Sequence, residues 1–198
     1  MHGRAFSCAG ILLTTLTLPL IAGSPEQIKN FTQVDAYVYR GGQPNSEGFR
    51  YLAKIGVKTI IDLREPGERS RAEERSVVTA GMKYINVPMT GLTPPIGTEI
   101  DKILGILEST DAGPVFVHCM RGADRTGAVI AAYRIDHDHW DNARALMEAK
   151  SRGMSFFQLP RESFIRSFQA RTNEAKVPVR GAGAPVMTDA GVAQQVTQ

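Results

Sequence analysis

From about residue 25 to 170 the chain switches repeatedly between two hydrophobic periods. Tyr37 to Arg40, Val57 to Leu63, Met82 to Val87 and Val115 to His118 are short β-branched or apolar runs that predict strands. Between them lie segments with helical spacing: Ser46 to Ile55, stopped by Gly56, Glu68 to Ala80, stopped by Gly81, and Thr98 to Glu108, with Thr98 as N-cap. Thr126 to Ile135 is apolar on nearly every side and predicts a central buried helix. Trp140 to Ala149 and Pro160 to Phe168 predict two more helices. Gly41-Gly42-Gln43-Pro44 reads as the stop of the first strand, and Thr90 to Gly97 as a Gly- and Pro-bearing loop. Strands alternating with helices predict one α/β domain over 25–171, with a mainly parallel central sheet flanked by helices on both faces. Residues 172–198 turn to Pro, Gly, Ala, Val, Gln and Thr without period and predict a disordered tail.

The start of the chain follows neither period. Arg4 precedes an uncharged apolar run from Ala5 to Ala22, and small residues Ala22, Gly23 and Ser24 follow. That layout predicts a signal peptide over 1–23, hence export to the periplasm or beyond. Leu20 or Ile21 stands where a small residue is preferred before the cut. The run also approaches the ~20 residues that span a bilayer, so an uncleaved N-terminal anchor is the alternative. Cleavage removes Cys8 and leaves Cys119 as the one cysteine, unable to form an internal disulfide.

Composition narrows the function. With 42% hydrophobic and 22% charged residues in 198, the chain has enough apolar material for a core and is no disulfide scaffold. A net charge of +3 is too weak, and too dispersed among acidic neighbours, to point to nucleic acid. Arg71-Ala72-Glu73-Glu74-Arg75 reads as a solvated mixed-charge helix. His137-Asp138-His139 lacks a further partner at ligand spacing, so no metal and no cofactor is expected; Asp138 reads as the cap of the helix near Trp140. Trp140, Phe156, Phe157, Phe164 and Phe168 read as packing residues.

The chemistry gathers in His118-Cys119-Met120-Arg121-Gly122-Ala123-Asp124-Arg125-Thr126-Gly127. A cysteine ends a buried strand, an arginine follows after five residues, and a helix then begins. Met120, Arg121, Gly122, Ala123 and Asp124 can curl into a cradle of inward amides, with the helix N-terminus aimed at the same point. Both features favour an anion and lower the Cys119 thiol below its free value of ~8.5. Arg125 can grip two oxygens of a phosphate bound by the cradle. The Thr126 hydroxyl lies near the sulfur and can help discharge an intermediate. Together these are a nucleophile, an oxyanion cradle and a clamp for phosphoryl transfer.

The stretch matches HCxxGxxR[ST]G, and the chain resembles the cysteine-dependent protein tyrosine phosphatases. It is nearest to small bacterial dual-specificity-like members, through Tyr39 to Pro44 and Ile61 to Arg64. The resemblance covers roughly residues 35 to 150. It implies attack of Cys119 on phosphorus, a cysteinyl-phosphate, and hydrolysis by water, with Arg125 stabilising the equatorial oxygens and His118 orienting the loop. The implied substrates are phosphotyrosine or mixed phosphoproteins. Phosphorylated inositols and other small metabolites are alternatives, as is a weakly catalytic phosphate-binding module. A sulfur transferase or arsenate reductase also places cysteine in an anion cradle, but the spacing to Arg125 and Thr126-Gly127 favour the phosphatase.

One departure stands out. The family's acid is an aspartate on a separate loop, and here that loop, Asn86 to Pro95, holds no carboxylate. Asp124 is the leading substitute, ahead of Asp62, Glu99 and Asp101, with bracing of the loop as its alternative role; otherwise the enzyme relies on leaving groups that need little protonation. Arg40, Arg64, Arg69 and Arg71 are within possible reach of the rim, and each is expected to form a surface salt bridge.

Overall fold

The computed structural model describes residues 24–172. The predicted signal or anchor segment 1–23, and the predicted tail from 173 onward, lie outside the described residues.

Five strands form one sheet in the order β1(Thr32–Gln33), β2(Val38–Gly42), β5(Val115–Cys119), β3(Thr59–Asp62), β4(Lys83–Asn86). Only the β1–β2 pair is antiparallel; β2, β5, β3 and β4 run parallel. The parallel strands alternate with helices α1(Ser46–Lys54), α2(Glu68–Thr79), α3(Gly97–Leu107) and α4(Asp124–Asp136), and α5(Asn142–Ser151) and α6(Leu159–Ser167) follow. The mainly parallel α/β domain expected from the sequence is therefore present.

Side chains of β3 and β5 alternate between two cores. Ile60 and Phe116 pack with Phe49, Leu52 and Val77 beneath α1 and α2. Ile61, Val115 and Val117 pack with Ile100, Ile103, Val129 and Ile130 beneath α3 and α4. A third cluster joins Ala128 and Ala131 of α4 to Ala145, Leu146 and Ile165 of the last two helices. Alanines on the outer face of α4 let α5 approach closely, so this helix is buried all round, as its sequence predicts. β5, central and buried at every position, fixes Cys119 at its C-terminal end.

Several local expectations change. Gly41 and Gly42 do not stop β2 but belong to it, opposite His118 and Cys119. Their lack of side chains serves close packing: a Cβ on Gly41 would meet Ile28 at 2.7 Å. Thr98 lies inside α3, whose N-cap is Ile96. Asp141, not Asp138, caps α5 by accepting from the Arg144 amide at 2.8 Å. Asp138 instead pairs with Arg134 and His137, and Trp140 packs against the guanidinium groups of Arg134 and Arg144. Phe156 and Phe157 do not pack inside: they are 86% and 54% exposed. Ser155, just before them, is tied to the loop after β5.

Candidate active site

The residues after Cys119 form a cradle because the facing segment seizes their carbonyls. The Met120 carbonyl accepts from the Gln43 amide at 3.3 Å and the Arg121 carbonyl from the Asn30 side-chain amide at 2.9 Å. The Gly122 carbonyl accepts from Arg40 Nη2 at 3.0 Å. Three successive carbonyls are thus drawn outward toward residues 30–43. Among the described residues, no amide from Met120 to Arg125 donates to a main-chain carbonyl, so these groups are left for the sulfur and for an anion. The turn needs Gly122, whose φ of +69° lies in the left-handed region.

Cys119 is buried, 2% exposed. Burial alone pushes its thiol up. Hydrogen bonds from the Thr126 hydroxyl and amide, the charge of Arg125 and the Arg121 amide outweigh this and hold it below its ordinary value. The Thr126 hydroxyl is itself buried with no conventional hydrogen-bond partner, which leaves it free for the sulfur.

Behind the cysteine lies a buried ionic network. His118 Nε2 is 2.7 Å from Glu73 Oε1, in an ion-pair contact too far off line for an ideal hydrogen bond. Arg64 Nη2 bonds Asp62 at 2.6 Å and Glu73 at 2.5 Å, and the Tyr84 hydroxyl donates to Asp62 at 2.7 Å. Burial opposes the charge on His118, but Glu73 and then Asp62 raise its proton affinity above the ordinary value. Asp62, Glu73 and His118 lie within 4.8 Å of one another, but Arg64 between the two carboxylates makes the cluster an ionic network rather than a cation site.

The network revises several expectations. Arg64 and Arg40 are buried, not surface ion pairs, and Glu73 points inward from a helix whose other charges are solvated. Burial pushes the Arg40 guanidinium down to about 10, and its Nε and Nη1 have no hydrogen-bond partner among the described residues. Asp62, whose carboxylate also accepts from the Arg64 amide, is fully committed and is no proton donor. Glu99 and Asp101 lie in the first turn and a half of α3.

Arg125, in the first turn of α4, returns toward the loops after β3 and β4. Its Nη1 donates to the Leu63 and Met89 carbonyls, each at 3.3 Å. Beside it lies a cavity of about 400 Å³, lined by Met120, Arg69, Ser70, Glu65 and Glu68. Asp124 faces the other way. One oxygen accepts from the Ser155 amide at 2.8 Å and the other bonds Arg121. Burial tends to raise the Asp124 carboxyl, but Ser155 and Arg121 hold it below the usual range. A general acid must carry a proton at working pH, and these bonds oppose one. In this arrangement Asp124 braces the cradle against the 153–157 turn. Arg121, half exposed, is neutralised in the same contact and also reaches Ser155 Oγ at 2.6 Å.

The structure thus brings Cys119, Met120, Gly122, Ala123, Arg125 and Thr126 together around the cradle, while the Arg121 and Asp124 side chains turn away to Ser155. Sequence reasoning missed Asn30, Glu73, Tyr84 and Arg161, which come from distant elements that no period marks. Arg161 is fully buried beside the same loop, donating to the Thr90 and Gly91 carbonyls.

Comparison with known proteins agrees with this geometry. The family model described as DSP-PTPase phosphatase fused to NAD+ kinase matches residues 21–167. A probable tyrosine-protein phosphatase of Dictyostelium discoideum, DG1060, is 32% identical over 143 residues, covering 70% of this chain and 85% of that protein. The dual specificity protein phosphatase TpbA of Pseudomonas aeruginosa is 28% identical over 125 residues, 63% of this chain and 55% of TpbA. The chain therefore spans about half the length of TpbA. The core catalytic domain of the PP-IP phosphatase SIW14 of S. cerevisiae, solved with citrate, superposes with a TM-score of 0.66 at 25% identity, over 75% of this chain and 90% of that one. On the family match and the relative covered over most of its length, the chain belongs to the dual-specificity-type protein tyrosine phosphatase family.

Proposed function

We propose that this chain hydrolyses phosphate monoesters through a cysteinyl-phosphate, with aryl phosphates such as phosphotyrosine preferred. The observation that carries the reading is a thiol held toward ionisation at the focus of a cradle whose carbonyls are drawn outward. The Cys119 thiolate attacks phosphorus in line. An S–P bond forms as the ester P–O bond breaks, and the leaving oxygen departs with the bonding pair and takes its proton from water. Water then attacks phosphorus, phosphate departs, and the thiolate is restored. Arg125 and the cradle amides share the equatorial oxygens in both steps. The Thr126 hydroxyl donates to the sulfur and eases its departure in the second.

The leaving-group preference follows from the acid. The loop facing the site carries no carboxylate, and Asp124 is held ionised. A phenol, with a pKa near ~10, leaves with less help than an aliphatic alcohol. Two exposed aromatics, Phe156 and Phe157, adjoin the Ser155 that anchors to the cradle and offer an apolar rim. In the neighbouring cavity Glu65 and Glu68 offset Arg69 and Arg125, and Arg64 is committed to Asp62 and Glu73, a lining less basic than a polyanion calls for. A second reading, phosphorylated inositols, is favoured by Arg69 in that cavity and by the PP-IP phosphatase named above.

Phosphate release from an aryl phosphate, a phosphotyrosine peptide and inositol hexakisphosphate, with wild type and Cys119→Ser, tests the proposal. Turnover of the first two that vanishes in Cys119→Ser is expected. Turnover of the inositol alone moves the reading to the second class. Phosphate binding without turnover moves it to a binding module. Export, read from the first 23 residues, is proposed on the sequence alone, and fractionation of cells making the full chain tests it.

A further inference from the structure

Arg161, in the first turn of α6, is a cation with no carboxylate partner among the described residues. It is fully buried. Its Nη1 donates to the Gly91 carbonyl at 2.7 Å and to the Gln158 side-chain oxygen, its Nη2 donates to the Thr90 carbonyl, and its Nε has no partner. Every acceptor is neutral. An uncompensated buried cation is costly, and an apolar side chain of similar volume would fill the space more favourably.

What the arginine holds is specific. Thr90 and Gly91 lie in the loop between β4 and α3, one and two residues after Met89, whose carbonyl Arg125 holds. Two arginines therefore tether adjacent peptide groups of one loop, Arg125 from the cradle and Arg161 from α6. Their situations differ once phosphate enters. Arg125 holds the Leu63 and Met89 carbonyls through Nη1 alone, and a phosphate competes for the same guanidinium, so its hold on the loop is shared with the substrate. Arg161, sequestered behind the loop, keeps its grip.

We propose that Arg161 is a positioning residue, the latch that holds the loop 88–96 over the cradle while Arg125 is engaged by the substrate. The latch also carries charge. Arg121 is neutralised by Asp124, whereas Arg161 is not. Burial, and then repulsion from Arg125, hold its guanidinium below the ordinary range, while Asp124 and Cys119 support its charge. A phosphate dianion held by Arg125 offsets that repulsion, so latching and substrate binding reinforce each other.

The kinetic arm of this inference rests on the phosphatase reading; the structural arm does not. Hydrogen exchange of the full chain is followed with and without orthovanadate as the oxyanion probe, in wild type, Arg161→Met and Arg161→Lys. In wild type, vanadate slows exchange across 88–96. In Arg161→Met the loop exchanges faster than wild type in both conditions, while 115–136 keeps its protection. The value of kcat falls on the order of ten- to a hundredfold, with KM changed less than about threefold. Arg161→Lys keeps the charge but loses the fork, and it recovers part of kcat with incomplete loop protection. If Arg161→Met does not fold, the lysine variant decides by the same loop exchange. Wild-type loop protection in a folded variant, with or without vanadate, overturns the latch. A wild-type protein that neither binds vanadate nor releases phosphate overturns the function, and the exchange comparison without vanadate still judges the latch.

Discussion

Gly122 and Gly41 touch through their main chains: a Cβ on Gly122 would lie 2.5 Å from the Gly41 carbonyl oxygen. This contact brings the cradle against β2, where Arg40 reaches the Gly122 carbonyl. Gly122→Ala loses the room and must also hold a positive φ, which costs about 1–3 kcal/mol before any clash. The variant is expected to melt at lower temperature and to lose on the order of a hundredfold in kcat/KM, because the amides shift together. Thermal melting and steady-state kinetics check both. A variant with wild-type values would mean that the cradle does not depend on this contact.

That contact also shows where sequence reasoning reached and where it stopped. The cradle was legible because Cys119, Gly122, Arg125 and Thr126 are contiguous, and strand end, turn and helix start follow each other locally. Gly41 and Gly42 were misread as a stop because a glycine needed for close approach looks the same as one needed for a turn. Glu73 was invisible because its helix is otherwise solvated, and only the packing of α2 on the sheet turns that one carboxylate inward. Arg161 and Asn30 are joined to the site by tertiary contacts alone. Phe156 and Phe157 break the rule that large apolar residues go inside, beside the one part of the surface where a ligand is expected.

The thiol offers a direct test of the electrostatics. Because Thr126, Arg125 and the Arg121 amide hold Cys119 toward the thiolate, alkylation by iodoacetamide is expected to have its pH midpoint below ~8.5. A lowered value means the reactive form persists to lower pH. Thr126→Val removes the hydroxyl donor while keeping the shape, so the midpoint and the acid limb of kcat/KM should both move upward. An unmoved midpoint would show that the hydroxyl does not act on the sulfur.

The buried network predicts how stability depends on pH. His118 takes up a proton more readily when folded than when unfolded, chiefly through Glu73 once burial is overcome. Its contribution is therefore complete below the unfolded value of ~6.5 and is lost as pH rises through the higher folded value. Asp62 has the opposite sign. Burial would raise it, but Arg64 and the other donors lower it, so its contribution is present above ~3.9 and is lost as pH falls toward the folded value. Glu73→Gln should flatten the fall in unfolding free energy above neutrality and leave the acid side in place. It should also cost about 3–5 kcal/mol, since Arg64 and His118 lose a buried partner. Urea melts across pH measure both effects. A mutant whose profile parallels wild type above pH ~6.5 would sink the assignment.

Asp124→Asn separates a brace from an acid. As a brace, the side chain accepts from the Ser155 amide and balances Arg121. Asparagine keeps the first bond through its carbonyl oxygen and loses the second interaction. The expected loss in kcat/KM is then modest, under about tenfold, and equal for an activated aryl phosphate and for phosphotyrosine. An acid behaves differently, because its proton matters more as the leaving group worsens. Its loss would grow from the activated ester to phosphotyrosine, and the basic limb of the pH profile would vanish. The bonds on both oxygens favour the first pattern, since they hold the carboxyl below its usual range and so toward the ionised form. Arg121→Met completes the test. Freed of its cation, Asp124 gains proton affinity, so any latent acid function should then improve turnover of the poorer leaving group relative to the better one. A fall that is equal on both substrates leaves Asp124 as the strut between the cradle and the Ser155 turn.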